Sequence, residues 1–254
     1  SAYVAGADGW QAADGYKLPF TLNIDGKTVT QVKFLRLSSK DRPDLLYDTG
    51  TARGYLRNTG TGWQRDDVNT PPIPLDAKTR YIDVDCDGKA EIVRPGSDGQ
   101  GNPIWRIYQF HPDGWVRLEK PEFALPIAAT SDPESIREID LNADGCADLI
   151  VASGQGEAAR SALFASKDGW KPAAGKTPPF DLVDAKGRHS RAVVVDIDGD
   201  GRPDVAAHRL LPDGSAIRFV FRQTGDGWEA LTAAFVPPAI SVSTADTSYD
   251  GAVL

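Results

Sequence analysis

No stretch of the chain approaches the roughly 18 consecutive apolar residues of a membrane-spanning helix, so no membrane span is expected. No signal peptide is visible. The chain opens Ser1-Ala2-Tyr3 without Met, as expected of a mature or excised segment of a longer polypeptide. An excess of positive charge is missing too: the formal charge of -8 argues against a nucleic-acid partner. Cysteine is scarce. Cys86 and Cys146 are too few for a disulfide framework, and each falls inside a different acidic loop, so the two are expected to stay unbridged. The three histidines, His111, His189 and His208, share no metal-ligand spacing and are expected at turns or on the surface. No Gly-x-Ser-x-Gly elbow, His-Glu-x-x-His helix or phosphate loop occurs. Carboxylates abound, but nothing sets a glycosidase-type pair apart from the acidic loops. The expectation is a protein that is not an enzyme.

What is present is turn chemistry and a repeat. The 25 glycines and 18 prolines are scattered along the chain, which suits many short strands joined by turns. A chain of 254 residues can form one domain if it is all-β, so residues 1–254 are read as a single repeat domain. Five triplets end in tryptophan: Asp8-Gly9-Trp10, Thr61-Gly62-Trp63, Asp113-Gly114-Trp115, Asp168-Gly169-Trp170 and Asp226-Gly227-Trp228. They recur roughly every 52–58 residues, long enough for a four-stranded blade. A strand-like run precedes each: Ser1–Val4, Gly54–Leu56, Trp105–Tyr108, Ala162–Phe164 and Ile217–Phe221. Asp-Gly suits a tight hairpin because both residues tolerate positive φ. Repeated tryptophans at one place in each unit predict packing between blades. Trp105, outside that series, is a better candidate for a ligand contact than they are, but core burial is the favoured reading for it too.

Between the triplets lies a second repeated element, most complete at Asp196-Ile197-Asp198-Gly199-Asp200-Gly201-Arg202-Pro203-Asp204. Oxygen side chains stand at loop positions 1, 3, 5 and 9, with glycine at position 6. Carboxylates at alternate positions repel one another unless a cation intervenes, and Ca2+ accepts six to eight oxygens in a flexible shell. A second copy has Asp83, Asp85, Asp87 and Glu91. A third has Asp140, Asn142, Asp144 and Asp148. Position 7, held by Lys89, Cys146 or Arg202, would offer only its backbone carbonyl, which accounts for its varied side chains. An EF-hand needs flanking helices and a Glu at position 12, but Arg94, Val151 and Ala207 stand there among β-branched runs. The expectation is three Ca2+ ions, which would bring the formal charge from -8 to -2.

The first unit aligns as Arg36-Leu37-Ser38-Ser39-Lys40-Asp41-Arg42-Pro43-Asp44 and keeps only the last carboxylate. It is expected to bind no metal, with Lys40 or Arg36 neutralising Asp44. At the other end, Ser248–Leu254 matches the run before a metal loop, so the chain stops where a fifth loop would begin. Either the terminal strands share one blade and close a ring, or the chain is a segment of a longer parent; the second is favoured.

The pattern Asp-x-[Asp/Asn]-x-Asp-Gly-x-x-[Asp/Glu] followed by an apolar run, at Asp83, Asp140 and Asp196, resembles the FG-GAP/VCBS repeat family. That resemblance implies an all-β β-propeller, or an arc of one, with four-stranded blades and calcium loops between the first two strands. About four complete blades are expected, with partial elements at both ends. The stretch Tyr55–Trp63 further resembles the propeller of bacterial toxin-complex B components and Rhs/YD-repeat proteins. The implied role is a calcium-stabilised binding or scaffold module of a secreted bacterial protein with a protein or carbohydrate ligand. A toxin-complex docking or shell propeller and a polysaccharide hydrolase or lyase are the alternatives.

Overall fold

The computed structural model describes residues 3–6, 9–18, 31–129, 132–154, 156, 159–210, 213 and 216–231. The fold is all-β, built of the four-stranded propeller blades that the sequence predicts. A two-stranded sheet, β1 (Tyr3–Gly6) and β2 (Gly9–Ala12), precedes four four-stranded antiparallel sheets, each an up-and-down meander in chain order. The first comprises β3 (Gln31–Leu35), β4 (Asp44–Asp48), β5 (Arg53–Asn58) and β6 (Trp63–Asp66). The second comprises β7 (Arg80–Ile82), β8 (Glu91–Ser97), β9 (Pro103–His111) and β10 (Gly114–Arg117). The third comprises β11 (Ile136–Ile139), β12 (Asp148–Ala152), β13 (Arg160–Phe164) and β14 (Lys171–Pro172). The fourth comprises β15 (Arg191–Val195), β16 (Asp204–Leu210), β17 (Ala216–Gln223) and β18 (Trp228–Ala230). The only helical turns among the described residues are short 3-10 segments at Asp14–Tyr16, Pro121–Phe123 and Pro133–Ser135. No described helix is long and apolar enough to cross a membrane.

The chain divides into two compact units, Ser1–Thr130 with Lys167–Gly169, and Ser131–Ser166 with Trp170–Leu254. In the first unit, β4 shows how a blade is held. All five of its residues are buried, and its side chains alternate between two apolar clusters. Leu46 packs with Leu37, Tyr55, Leu75 and Ile92, walled by Phe110 and Trp115. Leu45 and Tyr47 point the other way, onto Leu56, Leu18 and Trp63. A strand covered on both faces reads as a continuous apolar run, as Leu45-Leu46-Tyr47 and Leu149-Ile150-Val151 do. Each such fully buried aliphatic side chain contributes roughly 1.5–3 kcal/mol. The second unit repeats the design with Ile139, Leu141, Ile150, Leu182 and Val205 around Phe180, whose ring stacks on Phe221 at 4.9 Å.

The tryptophans join successive repeats, as expected. The indole N–H donates to a backbone carbonyl of the preceding repeat: Trp63 to Tyr16 at 3.1 Å, Trp115 to Asn69 at 2.9 Å and Trp228 to Lys176 at 2.7 Å. Each acceptor stands six residues after the preceding tryptophan. The glycine before the tryptophan lets the backbones approach: a Cβ on Gly62 would lie 2.4 Å from the Gly15 carbonyl oxygen.

One expectation fails. Cys86 and Cys146 are not free; both are disulfide-bonded. Position in a loop motif does not reveal whether a cysteine is bonded, because a disulfide depends on geometry that sequence spacing does not carry. The segments read as a fifth loop start and as the closing strand, 248–254, lie outside the described residues, as do Ser1 and Ala2.

Candidate metal centre

All three acidic loops connect the first and second strands of their blades: β7 to β8, β11 to β12 and β15 to β16. Their backbones repeat closely. Position 4 is left-handed in every copy, at Cys86 (φ 58), Ala143 (φ 60) and Gly199 (φ 77), and position 6 again at Gly88 (φ 83), Gly145 (φ 87) and Gly201 (φ 83). The position-1 carboxylate organises this turn by accepting the amides of positions 5 and 6. Asp83 takes Asp87 at 3.0 Å and Gly88 at 2.8 Å; Asp140 and Asp196 take the equivalent pairs at 2.9–3.2 Å. Position 5 caps position 7: Asp87, Asp144 and Asp200 each accept the amide of Lys89, Cys146 and Arg202 at 2.8 Å.

Positions 1, 3 and 9 converge. Oxygens of Asp83, Asp85 and Glu91 lie within 4.8 Å of one another, and so do those of Asp196, Asp198 and Asp204. The third loop brings Asp140 and Asp148 with Asn142 to the same positions, so it has one carboxylate fewer; Asn142 Nδ2 donates to Asp144 at 2.8 Å. Asp87 and Asp200 stand outside the converging sets, and Asp87 also pairs with Lys89 Nζ at 2.9 Å.

Position 9 has a second job that the sequence did not reveal. Asp204 accepts the amide of Ile197 at 2.9 Å with one oxygen and that of Gln223, on β17, at 2.9 Å with the other. Asp148 does the same with Leu141 and Ala165, both at 2.8 Å. These carboxylates are fully buried and tie the loop to the end of the third strand of the sheet. Asp44 of the first blade does so too, accepting Ser38 at 2.7 Å and Asn58 at 2.8 Å. Backbone amides, rather than the expected Lys40 or Arg36, therefore satisfy Asp44. Lys40 instead lies along the turn of the second loop, its Cδ and Cε each 3.5 Å from where a Cβ on Gly88 would stand.

In the protein without ions, burial is the main cause of raised carboxyl pKa values here. It pushes Glu91 up to about 9, with the charges of Asp85, Asp83 and Asp87 adding to it. Burial likewise raises Asp148 to about 6, and raises Asp83 and Asp204. Asp85 Oδ2 accepts from Gln109 Nε2 at 2.6 Å, but its Oδ1 is buried and accepts nothing. Buried oxygens of this kind cost free energy unless a proton or cation meets them. Hard oxygen donors, an orphaned buried oxygen and several converging charges fit a hard divalent cation.

Two partners of these loops escaped the sequence. Gln109 on β9 meets Asp85, and Arg222 on β17 meets Asp198 at 3.0 Å. Both occupy the same register position, one beyond the residue that pairs with position 10 (Ile92 with Tyr108, Val205 with Phe221). Comparing third strands would have singled them out, but neither belongs to an acidic motif. The histidines join no carboxylate cluster among the described residues. His208 is not at a turn; it lies mid-strand in β16, where burial and then the charges of Arg191 and Arg218 hold its pKa down. Trp105 is half-buried, donates to the Ile127 carbonyl at 2.8 Å, and lines a hollow of about 460 Å³ with Arg117, Glu119 and Lys120.

Residues 140–207 match the model of the FG-GAP-like repeat. This FG-GAP-like segment begins on position 1 of the third loop and runs just past position 9 of the fourth, so it spans two of the three acidic loops. No curated protein matches the chain.

Proposed function

We propose that the chain is a calcium-clamped, non-catalytic binding or scaffold module of a secreted bacterial protein. Propeller blades carrying an FG-GAP-like repeat support a binding or scaffold role in general. The observation that carries calcium is the buried, unpartnered Asp85 Oδ1 beside Asp83 and Glu91. In this reading Asp83, Asp85, Asp87 and Glu91 hold one ion, with the carbonyl of Lys89. Asp140, Asn142, Asp144 and Asp148 hold a second with the carbonyl of Cys146, and Asp196, Asp198, Asp200 and Asp204 a third with that of Arg202. Each ion supplies the positive charge that lets the loop's carboxylates stay ionised while buried, and so pins the first two strands of its blade. The residues themselves orient the loop, since their amide hydrogen bonds set the turn.

Secretion is supported by the disulfide-bonded state of both cysteines, which an oxidising compartment sustains. Millimolar extracellular calcium also suits sites of moderate affinity. A carbohydrate ligand is favoured over a purely structural role by Trp105 at the hollow, since an aromatic face packs on sugar rings. The test is thermal melting in millimolar calcium and in chelator. The midpoint is expected to rise in calcium by mass action on the folded state. Coincident curves would sink the proposal. A glycan array on the calcium-loaded protein, with Trp105→Ala as control, separates lectin from scaffold.

A further inference from the structure

We infer that the side chain one residue beyond the position-10 partner on the third strand grades the affinities of the loops, so that Arg222 acts as a built-in competitor of the divalent cation in the fourth loop. This rests on the calcium reading of the loops. The second and fourth loops carry the same complement of four carboxylates, at positions 1, 3, 5 and 9, and differ in what stands behind position 3. In the second blade Gln109 is neutral. It occupies one oxygen of Asp85 at 2.6 Å and leaves the other buried and free for a cation. In the fourth blade the guanidinium of Arg222 lies 3.0 Å from Asp198 Oδ2. It is fixed from its other side by Glu229 at 2.6 Å, across the β17–β18 pair. A positive charge so placed stabilises the loop without metal and repels an arriving Ca2+. The register equivalents in the remaining blades are Phe164 and Arg57. Phe164 offers no polar atom to position 3, and Arg57 donates to Gln64 at 2.6 Å, beside a loop that keeps only the position-9 carboxylate, Asp44.

The second loop therefore fills first, and the fourth resists filling while keeping its shape without the ion. Calorimetric calcium titration of the intact chain tests this, with one loop left functional at a time. Asp83→Asn, Asp85→Asn and Asp140→Asn together isolate the fourth loop; Asp140→Asn, Asp196→Asn and Asp198→Asn isolate the second. The second loop is expected to bind more tightly. Arg222→Gln should tighten the fourth loop about tenfold and lower the melting midpoint in chelator but not in calcium. Gln109→Arg should weaken the second loop by a similar factor, and it carries the test if Arg222→Gln does not fold. Binding that neither substitution changes would overturn the inference alone. An absence of calcium binding at every loop would overturn the calcium reading and the inference with it.

Discussion

Trp115 Nε1 donates to the backbone carbonyl of Asn69 at 2.9 Å, and Asn69 itself is 1 % exposed. The bond joins the outer hairpin of one blade to the segment that follows the tryptophan of the blade before it. Because the acceptor is buried, no water replaces the indole when it is lost. Trp115→Phe keeps most of the apolar contact with Phe110 but leaves that carbonyl unpaired. Urea unfolding is expected to show a loss of about 1–3 kcal/mol. An unchanged midpoint would mean that the tryptophans act by area alone.

Asp44 separates the clamp role of position 9 from metal binding. It is fully buried and accepts two amides, yet its loop has no other carboxylate at a ligand position. Asp44→Asn is expected to cost about 3 kcal/mol, since hydrogen bonds to a charged acceptor are worth about 1.5–3 kcal/mol each. The loss should be equal in calcium and in chelator. By contrast, Asp204→Asn should also narrow the stability difference between the two conditions, by the fourth loop's share of it. Paired melting curves in both buffers make the comparison.

The pH dependence follows from Asp148 and Glu91. Without ions their folded-state values are raised to about 6 and about 9, above the ordinary carboxylate range, chiefly by burial. A raised carboxyl binds its proton more tightly folded than unfolded. Its contribution is complete below the ordinary range and is lost as pH rises through the folded value. The ion-free protein should therefore weaken between about pH 4 and pH 9. Calcium replaces the protons, so the gap between loaded and ion-free midpoints should widen with pH. Melting at about pH 5 and about pH 8.5 checks this, and a gap that narrows would contradict it.

Ala143 holds φ 60 at position 4 of the third loop, where the fourth loop has Gly199 at φ 77. A left-handed non-glycine residue costs roughly 1–2 kcal/mol, partly offset in glycine by its greater freedom when unfolded. Ala143 is exposed, so little packing is lost on substitution. Ala143→Gly is expected to raise stability by about 0.5–1 kcal/mol, read from denaturant midpoints, with no change in the calcium response.

The repeat was legible in the sequence because its signals are local. Asp-x-Asp-x-Asp-Gly places its oxygens, its left-handed glycine and the following strand within nine residues, so spacing alone marked all three loops as lying between two strands, and the family resemblance implied that these are the first two of a blade. The tryptophan triplets marked the outer hairpins for the same reason, and the loss of carboxylates at Arg36, Ser38 and Lys40 was visible by simple alignment. Tertiary structure decided everything that depends on partners distant in the chain. Gln109 reaches Asp85 across 24 residues and Arg222 reaches Asp198 across another 24; only the strand register puts them there. The same holds for Gln223 on Asp204 and Asn58 on Asp44, where a carboxylate chosen for a loop also satisfies amides of another strand. It holds for the cysteines, whose bonded state their positions in the loop motifs do not encode. Local spacing fixes which atoms can form a turn, whereas register and packing fix which charge stands behind it.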